Sequence, residues 1–349
     1  MWRWTTLALI ATVAAGGCGG GSQQVTDPDD DLINGIAPPA GGVAAFSVSP
    51  VDLDQIAILT PLGSLNPPGH VLPTDHVYFY QVDFDHRPAV PPTASLPVFA
   101  PTTGAANFIL SQGTSGSKIQ FVVTREFSYY LDHVVLRPGL TLGTVVQAGE
   151  QVGTTTPGGT LDLGAIDSRV TLPGLLVPER YPWPTRHAVS PWKYFTEPLR
   201  STIYARLRRS PGAADKDGRI DFGISGRLAG DWFHESIAAG DEPGGPATWP
   251  KTIAFVADYY DPDQVRISIG GMIDNPGVWG IPPGAPRPED VSVQSGRIVY
   301  RLMYLQSTNA QRGLMVVQML SDTRIRVQIF PGADLQTADF DANARIYLR

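Results

Sequence analysis

Imidazole chemistry in this chain of 349 residues rests on six histidines: His70, His76, His86, His133, His187 and His234. An imidazole near a carboxylate can ligate a divalent ion, move a proton, or be locked into a hydrogen-bonded network. His86, His187 and His234 stand in polar, Pro- or Glu-flanked contexts and read as surface positions or as supports behind a site. Nucleophile and phosphate signatures are missing: there is no Gly-x-Ser-x-Gly, no phosphate-cradling Walker loop and no dinucleotide fingerprint. Asp215-Lys216-Asp217-Gly218 opens like a calcium loop but lacks the later ligands and the closing Glu, so it reads as a turn. The acidic pairs Asp83/Asp85 and Asp261/Asp263 read as turns too.

The single cysteine excludes an intramolecular disulfide. Cys18 follows Ala15-Gly16-Gly17 and an apolar stretch, Leu7 to Ala15, that is too short to span a bilayer. Small residues before a lone Cys resemble the bacterial lipobox, which implies an exported chain held to a bacterial membrane of the cell envelope through lipid on Cys18. Residues 1–17 are then the signal peptide, and 18–44, rich in Gly, Ser, Gln and Asp at first, a flexible tether. A net charge of −7, with no basic run longer than Arg208-Arg209, speaks against a nucleic-acid partner.

Gly (37) and Pro (32) make up about a fifth of the chain, which predicts many turns and short strands, a mainly β fold. Over 45–172, apolar runs such as Ile56–Leu59, Val77–Tyr80, Ile119–Val123, Phe127–Tyr130 and Val134–Leu136 are separated by Gly, Pro or Asp, as in an antiparallel β domain. A Pro-rich connector follows, and Glu197–Arg209 is predicted as the one connecting helix, with Leu199, Ile203, Tyr204 and Leu207 on one stripe. Over 213–349 seven strands are predicted: Ile220–Leu228, Thr252–Ala257, Val265–Ile269, Gly296–Tyr304, Gly313–Leu320, Arg324–Phe330 and Ala342–Leu348. These make a second β domain, a barrel or sandwich. Gly230-Asp231-Trp232, with Arg345 or Arg349 late in the chain, resembles the lipocalin-type barrel, where an Arg from the last strand covers the Trp.

The first domain carries a more specific resemblance. Val146-Gln147-Ala148-Gly149-Glu150-Gln151-Val152-Gly153 is similar to the hairpin of lysostaphin-type zinc endopeptidases of peptidoglycan, over residues of about 55–170. A biotinyl or lipoyl carrier hairpin needs a Lys at its tip, and Lys118 is the only Lys before residue 193. The resemblance implies that Pro73–Tyr80 holds the first ligand segment, Tyr129–Val134 the strand with an assisting catalytic His, and Gly158–Gly164 the segment of a His-x-His pair. Carried over, His133 is the catalytic candidate, and His76 and Asp162 are metal candidates, with His70 and Asp75 as a shifted pair.

The match is broken at the metal. Tyr80 stands where the family has a ligand Asp, and Thr160-x-Asp162 replaces the His-x-His pair. A set poor in His holds zinc weakly against competing metals, and the same residues can instead form a buried polar network pinning neighbouring strands. Two functions follow as expectations. One is an envelope lipoprotein whose peptidase-like domain binds or scaffolds cell-wall polymer or envelope proteins. The other is a divergent metallohydrolase, a zinc-dependent metalloendopeptidase-like enzyme acting on cell-wall peptide.

Overall fold

The computed structural model describes residues 35–84, 92–238, 247–305, 310–332 and 338–349. The expected signal peptide, Cys18, the tether as far as residue 34, Asp85 and His86 lie outside the described residues. The tether's described end, 35–44, runs along the first domain: Ala44 packs on its core, and Thr102 Oγ1 donates to the Val43 carbonyl at 3.2 Å.

The chain is mainly β. Ten strands form one sheet: β1 (Ile58–Leu59), β2 (Val77–Tyr80), β3 (Pro97–Phe99), β4 (Gly104–Ser111), β5 (Ser117–Val122), β6 (Phe127–Leu136), β7 (Val145–Val146), β8 (Gln151–Thr155), β9 (Leu161–Asp167) and β10 (Ala188–Val189). The main order is β1-β2-β9-β6-β5-β4-β7, with antiparallel pairing throughout; β10 adds to β9, and β8 joins β3 to β6. Every residue of the central strand β9 is buried. Alternation sends Leu161, Leu163 and Ala165 into the apolar core and Asp162 and Gly164 to the other face.

Eight further strands close an up-and-down antiparallel barrel: β11 (Gly230–His234), β12 (Thr252–Ala257), β13 (Val265–Ile269), β14 (Gly277–Gly280), β15 (Arg297–Met303), β16 (Gln311–Ser321), β17 (Arg324–Pro331) and β18 (Arg345–Leu348). The inside is filled by Trp232, Phe255, Ile267, Met315, Val327, Tyr347 and their neighbours. Closure leaves no free edge. Arg349 lies over the Trp232 ring at 4.1 Å and donates to the carbonyls of Ala229 and Asp322, so it is Arg349, not Arg345, that covers the Gly-x-Trp tryptophan.

Several expected elements are corrected. Ile220–Leu228 is not a strand: Gly223 and Gly226 break the run, and pairing starts at Gly230. The short strand β14 was not expected, because Gly277-Val278-Trp279-Gly280 is too short and glycine-bounded to show alternation. The helix is shorter than expected, α2 (Leu199–Arg206), because Leu207 turns extended and bridges to Leu59. A four-residue helix, α1 (Trp183–Arg186), lies unforeseen in the connector. Phe127–Tyr130 and Val134–Leu136 belong to one strand, β6, joined through a bulge at His133.

The connector is fastened at both ends. Trp192 is fully buried and donates to the Thr60 carbonyl at 3.0 Å, and the Asp217 carboxylate accepts from Ser190 Oγ (2.6 Å) and Tyr204 OH (2.7 Å). Leu175, Tyr181, Phe233 and Ile237 form a small apolar cluster between connector and barrel. Among the described residues no helix is long and apolar enough to cross a membrane.

Candidate functional site

Register builds the site. Asp162 on β9 pairs with Tyr78 on β2 and with Asp132 on β6, so the three occupy one cross-strand row and share a face. Two residues along, alternation adds His76 and Tyr80 on the first strand and Tyr130 on the third. Opposite Tyr130 stands Gly164, where a Cβ would lie 2.1 Å from the tyrosine ring; only glycine leaves room for it. His133 would point into the core if β6 were regular. Instead Asp132 and His133 together face Lys118 across a bulge, and His133 adopts φ 65°. A bulge of this kind re-aims a side chain, and it brings the His133 ring round to Asp162. Gly116 lies under the bulge, its Cβ position only 2.8 Å from the His133 backbone.

The resulting network is dense. Asp75 Oδ1 lies 2.9 Å from His76 Nδ1 and accepts from Tyr130 OH at 2.9 Å, while Asp75 Oδ2 accepts from Thr185 Oγ1 of α1 at 2.5 Å. His76 Nε2 lies 3.0 Å from Tyr78 OH. Asp162 Oδ2 sits 3.5 Å from His76 Nε2 and 3.4 Å from His133 Nε2, between the two imidazoles. The other oxygen, Asp162 Oδ1, is buried and has no hydrogen-bond partner among the described residues. His133 Nδ1 lies 3.1 Å from the Ser115 carbonyl, and Asp132 Oδ1 accepts from the His133 backbone N–H. His70 packs edge-on to His76, ring centroids 5.2 Å apart.

Electrostatics follows from this geometry. Burial, with the neighbouring His76, pushes His70 down to about 4, so it is neutral at physiological pH. Burial works to raise Asp75, but the His76 hydrogen bond and charge, Lys118 and Thr185 outweigh it and hold the carboxyl well below the usual range. The hydrogen bond to Asp162 lifts His133 to about 9 against the opposing effect of burial, so its ring carries a positive charge at neutral pH. Burial holds Tyr78 and Tyr130 well above the ordinary phenol range, which makes them hydrogen-bonding groups and poor nucleophiles.

All five candidates therefore gather in one place: His70, Asp75, His76, His133 and Asp162 line a single cavity of about 510 Å³. Its far wall belongs to the connector and the barrel, through Tyr181, Thr185, Asp231 and Trp249. Tyr181 OH donates to Asp231 Oδ2 at 2.8 Å, and burial lifts the Asp231 carboxyl to about 7, against the Tyr181 hydrogen bond and Arg349. His187 and His234 stand apart from the cavity: His187 Nδ1 lies 2.7 Å from the Val170 carbonyl, and His234 is buried against Tyr347. Sequence reasoning missed Tyr78 and Tyr130, which period-two alternation from His76 and Asp132 reveals. It also missed Thr185 and Asp231, for which a single sequence holds no signal.

The zinc ion implied by the resemblance does not fit this donor set. Tyr80 stands at the expected Asp position, with its ring stacked on Tyr78 at 5.1 Å. Both ring nitrogens of His76 have hydrogen-bonding neighbours, and among the described residues no group of three His, Cys, Asp or Glu side chains is arranged to hold a metal.

His76 and Asp162 thus lie on one face of the first sheet, 3.5 Å apart at Nε2 and Oδ2. Solved structures similar to the chain include Helicobacter pylori Csd3 (17% identity, 46% of this chain and 40% of that one, TM-score 0.30) and a zinc containing peptidase from Vibrio cholerae (17%, 36% and 37%, 0.27). A third is the catalytic domain of the prophage-encoded M23 protein EnpA from Enterococcus faecalis (16%, 43% and 96%, 0.26). The chain spans 40% and 37% of the lengths of the first two. No family model and no curated protein matches it.

Proposed function

We propose that the chain is an exported envelope lipoprotein, anchored to a bacterial membrane through Cys18, whose peptidase-like domain binds or scaffolds a cell-wall polymer or envelope protein without cleaving it. The observation that carries this reading is the engagement of His76. Its Nδ1 faces Asp75 and Tyr130, its Nε2 faces Tyr78, and Asp75 is in turn held by Thr185 from the connector. With Asp75 against Nδ1, the other ring nitrogen, Nε2, is engaged by the Tyr78 hydroxyl, which an ion would have to displace. Around it lies a cleft of ligand size with both polar and apolar walls.

A divergent metallohydrolase is the competing reading, and one observation favours it: Asp162 Oδ2 lies 3.4–3.5 Å from two imidazole nitrogens, close to the span between two ligands that share an ion. Elemental analysis of the purified chain decides between them. The binding reading expects less than a tenth of an equivalent of zinc, roughly what weak adventitious binding leaves, and no cleavage of cell-wall peptides. Stoichiometric metal together with cleavage overturns it. For the anchor, Cys18→Ser expressed in a host with the lipoprotein pathway is expected in the soluble fraction; unchanged membrane partitioning would refute lipidation.

A further inference from the structure

One imidazole of the cleft is uncommitted. His76 and His133 have neighbours at both ring nitrogens. His70 lines the same cavity but meets His76 and Tyr78 only ring to ring, with centroids 5.2 and 6.2 Å apart. Neither of its nitrogens has a hydrogen-bond partner among the described residues. Trp249 stands beside this segment: its indole packs on Gly69, 3.6 Å from where a Cβ would lie, and its Nε1–H is likewise without a partner among the described residues. Both residues are half-buried, and these nitrogens are not sealed from solvent as Asp162 Oδ1 and Asp231 Oδ1 are.

The charged groups of the cleft, by contrast, already have counterparts within the fold. Asp75 is held by His76 and by the charge of Lys118, and Asp162 lies between His76 and His133. Asp132 accepts from Gln112 Nε2 at 3.3 Å and from the His133 backbone, and Asp231 accepts from Tyr181 OH. A charged ligand would shed its hydration here without gaining a new counter-charge. What the cleft offers a ligand is neutral: an imidazole kept uncharged by burial, an indole N–H, and the apolar surface of Leu72, Leu110 and the Trp249 ring.

We propose that this cleft binds an uncharged saccharide, with a sugar ring against the Trp249 indole and its hydroxyls hydrogen-bonded to His70. A sugar ring has an apolar C–H face and a rim of hydroxyls, each able to donate and to accept. A neutral imidazole donates from one nitrogen and accepts at the other, so it matches such a rim, and an aromatic ring matches the C–H face. A hydrocarbon would leave the imidazole and the indole N–H unmet, and a peptide backbone has no flat C–H face for the indole. A volume of about 510 Å³ lies within the usual range for small-molecule sites. The inference rests on reading the cleft as a binding site and names what it binds.

Calorimetric titration of the full chain with diacetylchitobiose, an uncharged disaccharide, tests the proposal against two other probes. One is chitobiose, the same rings with ammonium groups in place of the acetamides; the other is N-acetyl-alanyl-leucine amide, an uncharged peptide. Diacetylchitobiose is expected to bind at least about tenfold more tightly than either, near 1.4 kcal/mol. Trp249→Leu should weaken it by about tenfold through loss of the ring and its N–H. His70→Phe keeps a ring in place, removes both nitrogens and should weaken it by about fivefold; it keeps the test decisive if the first variant does not fold. No binding of diacetylchitobiose, equal or tighter binding of either other probe, or an affinity unchanged in both variants overturns the proposal. Co-sedimentation with insoluble cell wall separates it from the functional reading. A chain that sediments with the polymer but ignores the disaccharide sinks this inference alone; one that binds the disaccharide and cleaves cell-wall peptides supports saccharide recognition and sinks the non-cleaving module.

Discussion

In the barrel, the inward rows of β11 to β18 carry Trp232, Ile253, Phe255, Ile267, Ile269, Met315, Val317 and Val327. In the first sheet, the second buried face of β2, β9 and β6 carries His76, Tyr78, Asp162 and Tyr130. Both surfaces come from the same alternation. The barrel closes on itself, so one face can be purely apolar and needs only shape to hold it. The first sheet is open, and its second face is covered by connector and barrel across a cavity. Polar groups there are stable only where each finds a partner. The barrel interior is thus held by packing, while a polar network gathers on the face of the neighbouring sheet that the barrel covers.

The largest effect is expected at Trp232. It is fully buried, donates from Nε1 to the Leu228 carbonyl at 2.8 Å and carries Arg349 over its ring. Trp232→Ala is expected to cost about 3–5 kcal/mol in urea unfolding of the barrel, the range for deleting a large buried aromatic. A loss below about 1 kcal/mol would mean that packing is not what holds it.

Asp75 is the counterpart in the polar face. Asp75→Ala strips a partner from His76, Tyr130 and Thr185 at once. Leaving buried donors unmatched is expected to cost about 2–3 kcal/mol, with Thr185→Val costing roughly 1 kcal/mol by removing one bond. If Asp75→Ala unfolds at the wild-type urea midpoint, the network contributes nothing to the fold.

How much of this was legible depends on range. The mainly β class follows from local pattern, whereas the closing Arg over a Gly-x-Trp and the clustering of Asp75, His76, His133 and Asp162 are reached only through resemblances carried by a tripeptide and one hairpin. The missing strand at 220–228 and the shortened helix were lost to glycines and to a bridge between Leu207 and Leu59, a tertiary contact that propensity cannot see. His133 illustrates the limit best. Strict alternation assigns it to the core face, and only the extra residue opposite Lys118 turns it toward Asp162. Thr185 reaches Asp75 across 110 residues through a helix that the proline-rich sequence concealed.

Asp231 is a carboxyl of the barrel on the wall of the polar cavity. Its carboxyl is lifted to about 7 from an ordinary 3.8, chiefly by burial, so the folded chain keeps a proton that the unfolded chain releases. The stabilisation is therefore complete below about pH 4 and is lost as pH rises through about 7. His70, pushed down to about 4, has the opposite slope, its contribution being lost as pH falls from 6.5 through about 4. Melting temperatures of the wild type and Asp231→Asn, compared between pH 4 and 7.5, separate the two. The variant should lose the alkaline-side decline and keep the acid-side one. Parallel curves would show that Asp231 is not buried as described.

The smallest effect is expected at His133, where two contributions oppose each other. Its ion pair with Asp162 favours the folded state, but the side chain is 36% exposed, so solvent screens the pair. Its backbone sits at φ 65°, a left-handed conformation that disfavours a histidine. Asn tolerates that conformation better and lacks the charge, so His133→Asn should change stability by less than about 1 kcal/mol at pH 7, as for an exposed pair. The pH dependence is the sharper readout. A folded value near 9 against an ordinary 6.5 means the contribution is full below about pH 6.5 and fades as pH rises through about 9. Between pH 6 and pH 9.5 the wild type should therefore lose stability relative to His133→Asn. If the two unfolding midpoints keep a constant separation across that range, the imidazolium is not paired with Asp162, and the bulge at Asp132-His133 serves only to bend the strand.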